Sequence, residues 1–291
     1  MADAKPTGKI LEIGDQLSLS GRHMNLYFKN RHWHAECVAL KDRSLTDLKT
    51  WLPYVQEGAL MLRVAPEESP VVLEHFPHLP TAVRWLETAD SLVLENGQWW
   101  PRLYTYETLR GFIISRFRDL DISLNSYVIG ANHMGRVAAA VMAHLGFSHI
   151  SLVDEDSDKL QQEVELLRRY LFGVKIDAVP AHTLTVQEEP GSLMLNTLVL
   201  QDDSTVLGDL SYFNFMKTGG VVVDISECTS HNRLLEEAER ADLKILSGLE
   251  VQARIDAEIL MKQFPSEYIT HEDYLESFSD NLQGLKNSSS V

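Results

Sequence analysis

The stretch from residue 126 to residue 160, SYVIGANHMGRVAAAVMAHLGFSHISLVDEDSDKL, constrains the fold most strongly. It combines a short apolar strand, a glycine-containing turn, a helix of strong helix formers closed by Gly146, and a second apolar strand. A strand that ends in such a turn and opens a helix presents backbone N–H groups and the positive end of a helix dipole to a phosphate. The pattern therefore predicts a βαβ unit with a dinucleotide-binding turn.

The turn departs from the G-x-G-x-x-G fingerprint at its middle position. Gly130 and Gly135 occupy the first and last positions, but Asn132 replaces the glycine that normally lets backbone approach a phosphate. Asparagine tolerates a left-handed backbone better than other non-glycine residues, and its amide can donate to a phosphate. One interpretation is a cofactor site formed by Gly130, Ala131, Asn132, His133, Met134 and Gly135. The other is that the glycines serve only the packing of helix against strand.

An acidic residue also lies at the end of the second strand, where dinucleotide-binding βαβ units carry the carboxylate that binds a ribose. Asp154 ends the second strand, where a carboxylate binds ribose hydroxyls and repels a 2′-phosphate. Glu155 and Asp156 follow it, and the first cation after them is Lys159. We therefore expect NAD rather than NADP as the cofactor. The alternative is a solvated acidic turn that caps the following helix.

Charge and cysteine content narrow the class of function. The formal net charge of -16 repels phosphate backbones and anionic headgroups, so we expect neither nucleic acid nor a membrane as partner. Cys37 and Cys228 are too few for a disulfide framework and too far apart in sequence for a metal knuckle. No signal-peptide pattern or membrane-length apolar run occurs in the sequence. We expect a cytoplasmic protein without a metal site.

Composition also changes along the chain. All five tryptophans fall within the first 100 residues, while the longest Ala, Val and Leu pattern comes later. This shift predicts a domain boundary near residues 113–125. Strand and helix patterns alternate before the boundary, which favours a mainly parallel sheet. The last residues, 281–291, have little to bury, and we expect a flexible tail there.

Five segments, in order, resemble the shikimate dehydrogenase family and its quinate-type relatives over most of residues 10–264. They are LSLSGRHMNLYF, ENGQWWPRLYTYETLRGF, VIGANHMGRVAAAV, DISECTSHNRLL and SGLEVQARIDAEILMKQF. The resemblance implies an α/β protein with an N-terminal substrate-type domain over 1–112 and a Rossmann NAD(P)-binding domain over 113–250. It also implies a C-terminal helix over 251–280 that returns to the first domain.

The resemblance assigns a substrate site as well. Ser18 and Ser20 match the two serines that hold the substrate carboxylate in the family, and Gly21 replaces a proline. Asp90 aligns with a substrate-binding asparagine, and Gly248 lies in a segment assigned to the cofactor site. A small carboxylate-bearing ligand is therefore expected. The alternative is that the serines cap the helix that follows them.

The two catalytic residues of the family are replaced. Glu68 aligns with the family lysine, Thr108 with the aspartate and Tyr106 with a nearby asparagine. Threonine is no general base near neutral pH, and a glutamate reverses the charge of a lysine. His23, Tyr106 and Glu68 are the candidate replacements. Two hypotheses stay open: a pseudoenzyme with a ligand or NAD pocket that serves as a sensor or protein partner, and an NAD-dependent oxidoreductase for a different hydroxylated carboxylic acid.

Overall fold

A computed structural model describes residues 5–41, 43–55, 57–187 and 189–287. The contacts within the chain divide it into two units. The first unit is Met1–Thr105 with Gln252–Val291, and the second is Tyr106–Val251.

The first unit contains a five-stranded mixed sheet in the order β2-β1-β3-β4-β5. Its strands are β1 (Thr7–Ile13), β2 (His34–Leu40), β3 (Ala59–Arg63), β4 (Ser91–Glu95) and β5 (Gln98–Arg102). The first three strands pair in parallel, as the alternation of strands and helices predicts, whereas β4 and β5 pair antiparallel. The helices before residue 105 are α1 (Leu19–Asn30), α2 (Leu48–Trp51), α3 (Ser69–Leu73) and α4 (Thr81–Leu86).

The β4–β5 hairpin is absent from the sequence prediction, although the sequence carries its signal. Asn96 and Gly97 join the two strands, and both have positive φ angles, 51° and 76°. An Asn-Gly pair favours this conformation because asparagine tolerates it and glycine adopts it freely. The dipeptide follows an apolar run, SLVL, and could have identified the hairpin.

The second unit contains a six-stranded parallel sheet in the order β11-β10-β9-β6-β7-β8. Its strands are β6 (Asn125–Ile129), β7 (His149–Asp154), β8 (Lys175–Pro180), β9 (Gly191–Asn196), β10 (Met216–Asp224) and β11 (Lys244–Leu246). The helices of this unit are α6 (His133–Leu145), α7 (Ser157–Tyr170), α8 (Thr205–Gly208) and α9 (Arg233–Arg240), together with α5 (Tyr104–Arg116) from Tyr106 onward. The order is that of a Rossmann sheet, which confirms the predicted α/β class. All residues of β6 and β9 are buried, as expected for central parallel strands.

Two helices follow β11: α10 (Gly248–Gln263) and α11 (His271–Asn287). The division between the units falls inside α5 and inside α10. Both are continuous helices, so the local sequence pattern does not mark the change of unit. The predicted divisions, after residue 112 and after residue 250, differ from the observed ones for this reason.

The C-terminal segment differs from its prediction. A single helix over 251–280 and a flexible tail over 281–291 were expected, but α11 continues to Asn287, and residues 288–291 lie outside the described ranges. Tyr274, Phe278 and Leu285 are buried on one face of α11, with Leu285 only 6% exposed. Phe278 stacks on His23 of α1, with ring centroids 4.2 Å apart. This apolar stripe explains the extra turns of helix.

No helix within the described ranges combines the length and the apolar character needed to cross a membrane.

Candidate functional site: a glycine turn and a carboxylate network

The order of strands in the second unit reverses between β6 and β9, which is where ligands bind in sheets of this kind. Gly130 follows β6 with a φ of 113°, and a β-carbon there would lie 2.2 Å from Oγ1 of Thr197. A β-carbon at Gly135 would lie 1.9 Å from the carbonyl oxygen of Gly130. Both glycines are therefore required by the packing of the turn itself, whether or not a ligand binds.

Asn132 is the N-cap of α6. Its backbone is extended, with φ −138° and ψ −178°, so the left-handed conformation considered above is wrong for this residue. Its Oδ1 accepts a hydrogen bond from the N–H of Gly135 at 2.8 Å, and the hydroxyl of Thr197 lies 3.2 Å from the same oxygen. A capping residue takes extended angles because its side chain must fold back onto the first turn. Its Nδ2 is the group left to donate to a ligand.

Asp154 fastens the turn to the neighbouring strand. Its Oδ2 accepts a hydrogen bond from the N–H of Ala131 at 2.7 Å, and its Oδ1 accepts one from the N–H of Asp156 at 3.0 Å. The residue is 7% exposed. Each carboxylate oxygen can accept a further hydrogen bond, so the residue can serve the turn and a ribose together. Asp156 caps α7 by accepting from the N–H groups of Asp158 and Lys159, as the capping alternative predicts.

A cavity of about 330 Å³ opens beside Asp154. It is lined by Asp154, Glu155, Leu198, Val199, Leu200, Gln201, Asp203, Ser204 and Val206. Three of these side chains are acidic, and none of the described residues in the lining is a lysine or an arginine. Glu155 is held in place by the N–H of Thr205, which donates to its Oε1 at 2.8 Å. The cavity therefore combines an apolar wall with carboxylates.

The remaining predicted cofactor residues have different surroundings. His133 and Met134 form the first turn of α6 and are partly exposed. Gly248 begins α10 and is buried, and a β-carbon there would lie 1.9 Å from the carbonyl oxygen of Glu227. Close packing therefore accounts for the glycine at this position.

A polar network at the ends of β9 and β10 was missed by the sequence prediction. Asp224 accepts hydrogen bonds from Nδ2 of Asn232 at 2.6 Å and from the N–H and hydroxyl of Ser226 at 2.8 and 2.6 Å. Nδ2 of Asn196 lies 3.2 Å from the same carboxylate. Asn196 and Asp224 are 0% and 1% exposed. Polar residues that end two apolar strands were the available signal.

In the first unit, Ser18 caps α1 and binds a carboxylate of its own chain. Its Oγ accepts from the N–H of Gly21 at 3.0 Å and donates to Oε1 of Glu12 at 2.9 Å. The N–H of Ser18 donates to Oε2 of Glu12 at 2.7 Å. A serine hydroxyl has a single hydrogen, and here Glu12 receives it.

Ser20 is hydrogen-bonded to a second carboxylate of the chain, that of Asp256. Its hydroxyl donates to Oδ2 of Asp256 at 2.6 Å and accepts from Nη1 of Arg63 at 2.6 Å. Asp256 also accepts hydrogen bonds from Nε2 of Gln252 at 2.8 Å and from the hydroxyl of Tyr274 at 3.3 Å. The capping alternative thus describes Ser18, whereas Ser20 belongs to a buried polar cluster. We call Glu12, Ser18, Ser20, Arg63 and Asp256 the carboxylate network.

Arg63 is the cation of the carboxylate network. Its Nη1 donates to Oε1 of Glu12 at 3.0 Å, and its Nη2 lies 3.8 Å from Oδ1 of Asp256. Desolvation acts to lower the pKa of Arg63, but the two carboxylates raise it above the ordinary value. Burial raises the pKa of Asp256, and Arg63 opposes that rise. The guanidinium of Arg63 therefore offsets the charge of two carboxyl groups.

Asp90 accepts hydrogen bonds from the first N–H groups of α5. Its Oδ1 accepts from the N–H of Tyr104 at 3.0 Å, and its Oδ2 accepts from the N–H of Thr105 at 2.6 Å. Desolvation raises the pKa of Asp90, whereas these donors act to lower it. A carboxylate at the N-terminus of a helix is stabilised by the helix dipole, so Asp90 has a structural role of its own. Its assignment to a substrate site stays a prediction.

The residues at the positions of the lost catalytic groups lie in both units. Glu68 ends the short 3₁₀ turn Pro66–Glu68 and is partly exposed. Thr108 is 7% exposed on α5, and the ring of Tyr106 packs edge-on against His144 with centroids 5.7 Å apart. Burial raises the pKa of Tyr106. Their catalytic assignment stays a prediction.

His23 is fully buried among aromatic rings. Neither ring nitrogen has a hydrogen-bond partner among the described residues. Burial lowers the pKa of its imidazole to about 4. A buried neutral ring without partners packs the core, and this position gives it no reach to a ligand. No group of three or more His, Cys, Asp or Glu side chains within the described ranges is arranged to hold a metal ion.

The fold of this chain has counterparts among solved structures. Neither a protein-family model nor a curated protein sequence matches the chain. Among solved structures, quinate dehydrogenase from Corynebacterium glutamicum in complex with NAD matches with a TM-score of 0.77 and 12% identity. The match covers 95% of this chain and 99% of that one.

Two further structures have the same fold. Shikimate 5-dehydrogenase from Thermus thermophilus in complex with shikimate matches with a TM-score of 0.72 and 16% identity, over 95% of this chain and 99% of that one. The ligand-free form of 5-ketofructose reductase of Gluconobacter sp. strain CHM43 matches with a TM-score of 0.74 and 12% identity, over 94% and 98%. The chain therefore has the two-domain α/β fold of shikimate and quinate dehydrogenases. At these identities the likeness concerns the fold alone.

Proposed function

We propose that this protein binds a dinucleotide of the NAD type in its second unit and does not oxidise shikimate or quinate. The observation that carries the proposal is the acidic cavity beside Asp154, next to the glycine turn at the switch point of a Rossmann sheet. A fold by itself does not determine a function, so the side chains of the site bear the argument.

The cavity suits the adenosine half of such a cofactor. Asp154 lies at the end of β7, where a carboxylate accepts from ribose hydroxyls, and Leu198 and Val206 offer apolar walls to a base. The turn that leads into α6 supplies a helix N-terminus for the pyrophosphate. Nδ2 of Asn132 is an additional donor at that end.

The charge of the cavity favours a cofactor without a 2′-phosphate. Asp154, Glu155 and Asp203 line it, and the described lining includes no cation to neutralise a phosphate. These carboxylates would repel a 2′-phosphate on the ribose. The carboxylate of Asp154, which ends β7, would lie nearest to that phosphate and repel it most strongly. Quinate dehydrogenase in complex with NAD shares the fold, which supports this choice, although shikimate dehydrogenase in complex with NADP+ shares it as well.

Two features support the absence of shikimate oxidation. The family lysine and aspartate are replaced by Glu68 and Thr108, and loss of a general base alone costs about 100-fold to 10,000-fold in rate. The hydroxyl hydrogens of Ser18 and Ser20 are donated to Glu12 and Asp256. The serine pair therefore has no O–H group left for the carboxylate of a substrate.

Calorimetry and thermal unfolding with NAD, NADH, NADP and ADP-ribose test the proposed binding. We expect NAD and ADP-ribose to stabilise the protein by about 2.7 kcal/mol at roughly 100 times their dissociation constants, with NADP weaker. Absence of binding by all four compounds would refute the dinucleotide site. Equal affinity for NAD and NADP would refute the role given to the acidic cavity.

An active oxidoreductase is the second candidate. The carboxylate network argues against a carboxylic acid as its substrate, because both serine hydroxyls already bind carboxylates. The shared fold of 5-ketofructose reductase, whose named substrate is an uncharged sugar, favours a neutral polyol or ketose instead. NADH oxidation with neutral ketoses, alongside NAD reduction with shikimate, quinate and other cyclic hydroxy acids, separates the candidates. Turnover of any compound replaces the pseudoenzyme interpretation, and turnover of shikimate contradicts the proposal as a whole.

A further inference from the structure

Glu12 and Gly21 lie against each other at the N-terminus of α1. A β-carbon built on Gly21 would lie 2.7 Å from Oε1 of Glu12 and 2.9 Å from its carboxyl carbon. Gly21 is not among the residues with positive φ, so its backbone does not require glycine. Glycine is also a poor helix former, and a side chain would ordinarily be favoured inside α1. The absent side chain leaves room for the carboxylate.

The carboxylate of Glu12 has the contacts that a bound carboxylate ion would have. The N–H and the hydroxyl of Ser18 donate to its two oxygens, and Nη1 of Arg63 donates to Oε1. These bonds are 2.7, 2.9 and 3.0 Å long, within the usual ranges of N–H···O and O–H···O hydrogen bonds in proteins. Glu12 is 6% exposed, so solvent competes little with them.

The pairing of β1 with β3 brings Glu12 next to its donors. Glu12 on β1 is directly paired with Arg63 on the parallel strand β3, and Ser18 is the N-cap of the helix that follows β1. Contacts other than those with Glu12 also hold the donors: Ser18 accepts from the N–H of Gly21, and Nη1 of Arg63 donates to the hydroxyl of Ser20 at 2.6 Å. They would keep their positions in a chain that lacks the Glu12 side chain.

We propose that Glu12 is an internal ligand that fills a carboxylate-binding site in the first unit, and that it is the residue that excludes small free carboxylates from that site. With Glu12 present, Arg63 already faces two carboxyl groups, those of Glu12 and Asp256, and a third is repelled. With the side chain removed, a monocarboxylate such as acetate can take its place. The inference concerns the first unit alone and does not depend on dinucleotide binding in the second.

The test is chemical rescue of Glu12→Ala by acetate. Removing one partner of a buried ion pair leaves Arg63 undercompensated, and we expect the Tm to fall by about 10 °C. Acetate should then raise the Tm of this variant by about 3 °C or more relative to chloride at equal ionic strength, because it binds only the folded state. The native chain should show no such difference.

Leu11→Ala is the matched control. Leu11 precedes Glu12 on β1 and is 2% exposed, so its truncation also destabilises the first unit but removes no carboxylate. Acetate should not raise the Tm of Leu11→Ala beyond the effect of chloride. Equal responses of Glu12→Ala and Leu11→Ala to acetate overturn the proposal.

Gly21→Ala completes a double-mutant cycle. In the native chain its β-carbon collides with the Glu12 carboxylate, so the Tm should fall. In Glu12→Ala the same substitution fills vacated space, so it should cost little and should abolish the acetate effect. An equal cost of Gly21→Ala in both backgrounds contradicts the proposal. If Glu12→Ala does not fold, Glu12→Asp serves, because its shorter side chain withdraws the carboxylate and should reduce the cost of Gly21→Ala; an undiminished cost overturns the proposal.

Discussion

The N–H of Ala131 donates to Oδ2 of Asp154 over 2.7 Å, so the acidic residue that ends β7 holds the turn that follows β6. The carboxylate expected to bind a ribose is therefore also part of the scaffold of the turn. Substitutions at this position change two properties at once, and the two must be measured separately.

Asp154→Asn should distinguish the role of Asp154 in holding the turn from its role in ligand binding. In the native chain the two carboxylate oxygens accept from different N–H groups, those of Ala131 and Asp156. The amide keeps the shape of the side chain but replaces one of these oxygens by an NH₂ group, so one of the two hydrogen bonds is lost. We expect a loss of about 1–3 kcal/mol in the free energy of unfolding, measured with urea. NADP binding should improve relative to NAD in calorimetry. Glu155→Gln is the control, and an equal loss of stability there would contradict the scaffold role of Asp154.

Asn132→Gly tests the middle position of the turn. Because Asn132 is the N-cap of α6, we expect a loss of only a few tenths of a kcal/mol for glycine and about 1 kcal/mol for Asn132→Ala. Because Nδ2 of Asn132 is the proposed donor to the pyrophosphate, both variants should bind NAD more weakly than the native chain. Calorimetric titration of both variants checks this. Tighter binding by Asn132→Gly would mean that the side chain hinders the pyrophosphate, and would contradict the donor role of its amide.

Gly135→Ala and Gly284→Ala form a matched pair of helical substitutions. A β-carbon at Gly135 would meet the carbonyl oxygen of Gly130 at 1.9 Å, whereas one at Gly284 meets nothing within 4 Å. We expect Gly135→Ala to lose several kcal/mol, through backbone displacement, and Gly284→Ala to gain about 0.5–1 kcal/mol. Urea unfolding gives both values. A well-tolerated alanine at residue 135 would show that the turn has a different conformation.

His23→Phe should make the protein less sensitive to acid. The pKa of His23 is lowered to about 4 in the folded state, whereas the ordinary value for histidine is 6.5. The unfolded state therefore binds more protons between these pH values, and stability falls as the pH decreases through that window, by about 3 kcal/mol in total. Phenylalanine keeps the stack on Phe278 without titrating.

The measurement is the difference in unfolding free energy between His23→Phe and the native chain at several pH values. It should be constant above pH 6.5, grow in favour of the variant down to about pH 4 and level off below. His34→Phe is a control, since His34 is exposed on β2. A difference that does not change with pH would contradict the burial of a neutral imidazole at residue 23.

Local sequence determined much of this protein because the interactions concerned are local. Apolar runs such as SYVI and HISLV predict buried parallel strands, and the glycine turn of residues 130–135 predicts the start of α6. The alternation of strands and helices predicts the α/β class. The prediction of a flexible tail over 281–291 was wrong for residues 281–287, because the burial of Leu285 depends on the packing of α11.

Only the tertiary structure decided what the polar residues do. A serine in the sequence does not show whether its hydroxyl is available, and the partners of Ser20 come from Arg63 on β3 and Asp256 on α10. Asp256 is 236 positions away in the chain, and no local pattern connects the two. Local sequence sets the conformation of a helix or a turn through hydrogen bonds between near neighbours. The partner of a buried donor is set by which distant strands and helices meet, because a buried donor without an acceptor costs free energy and most are paired within the fold.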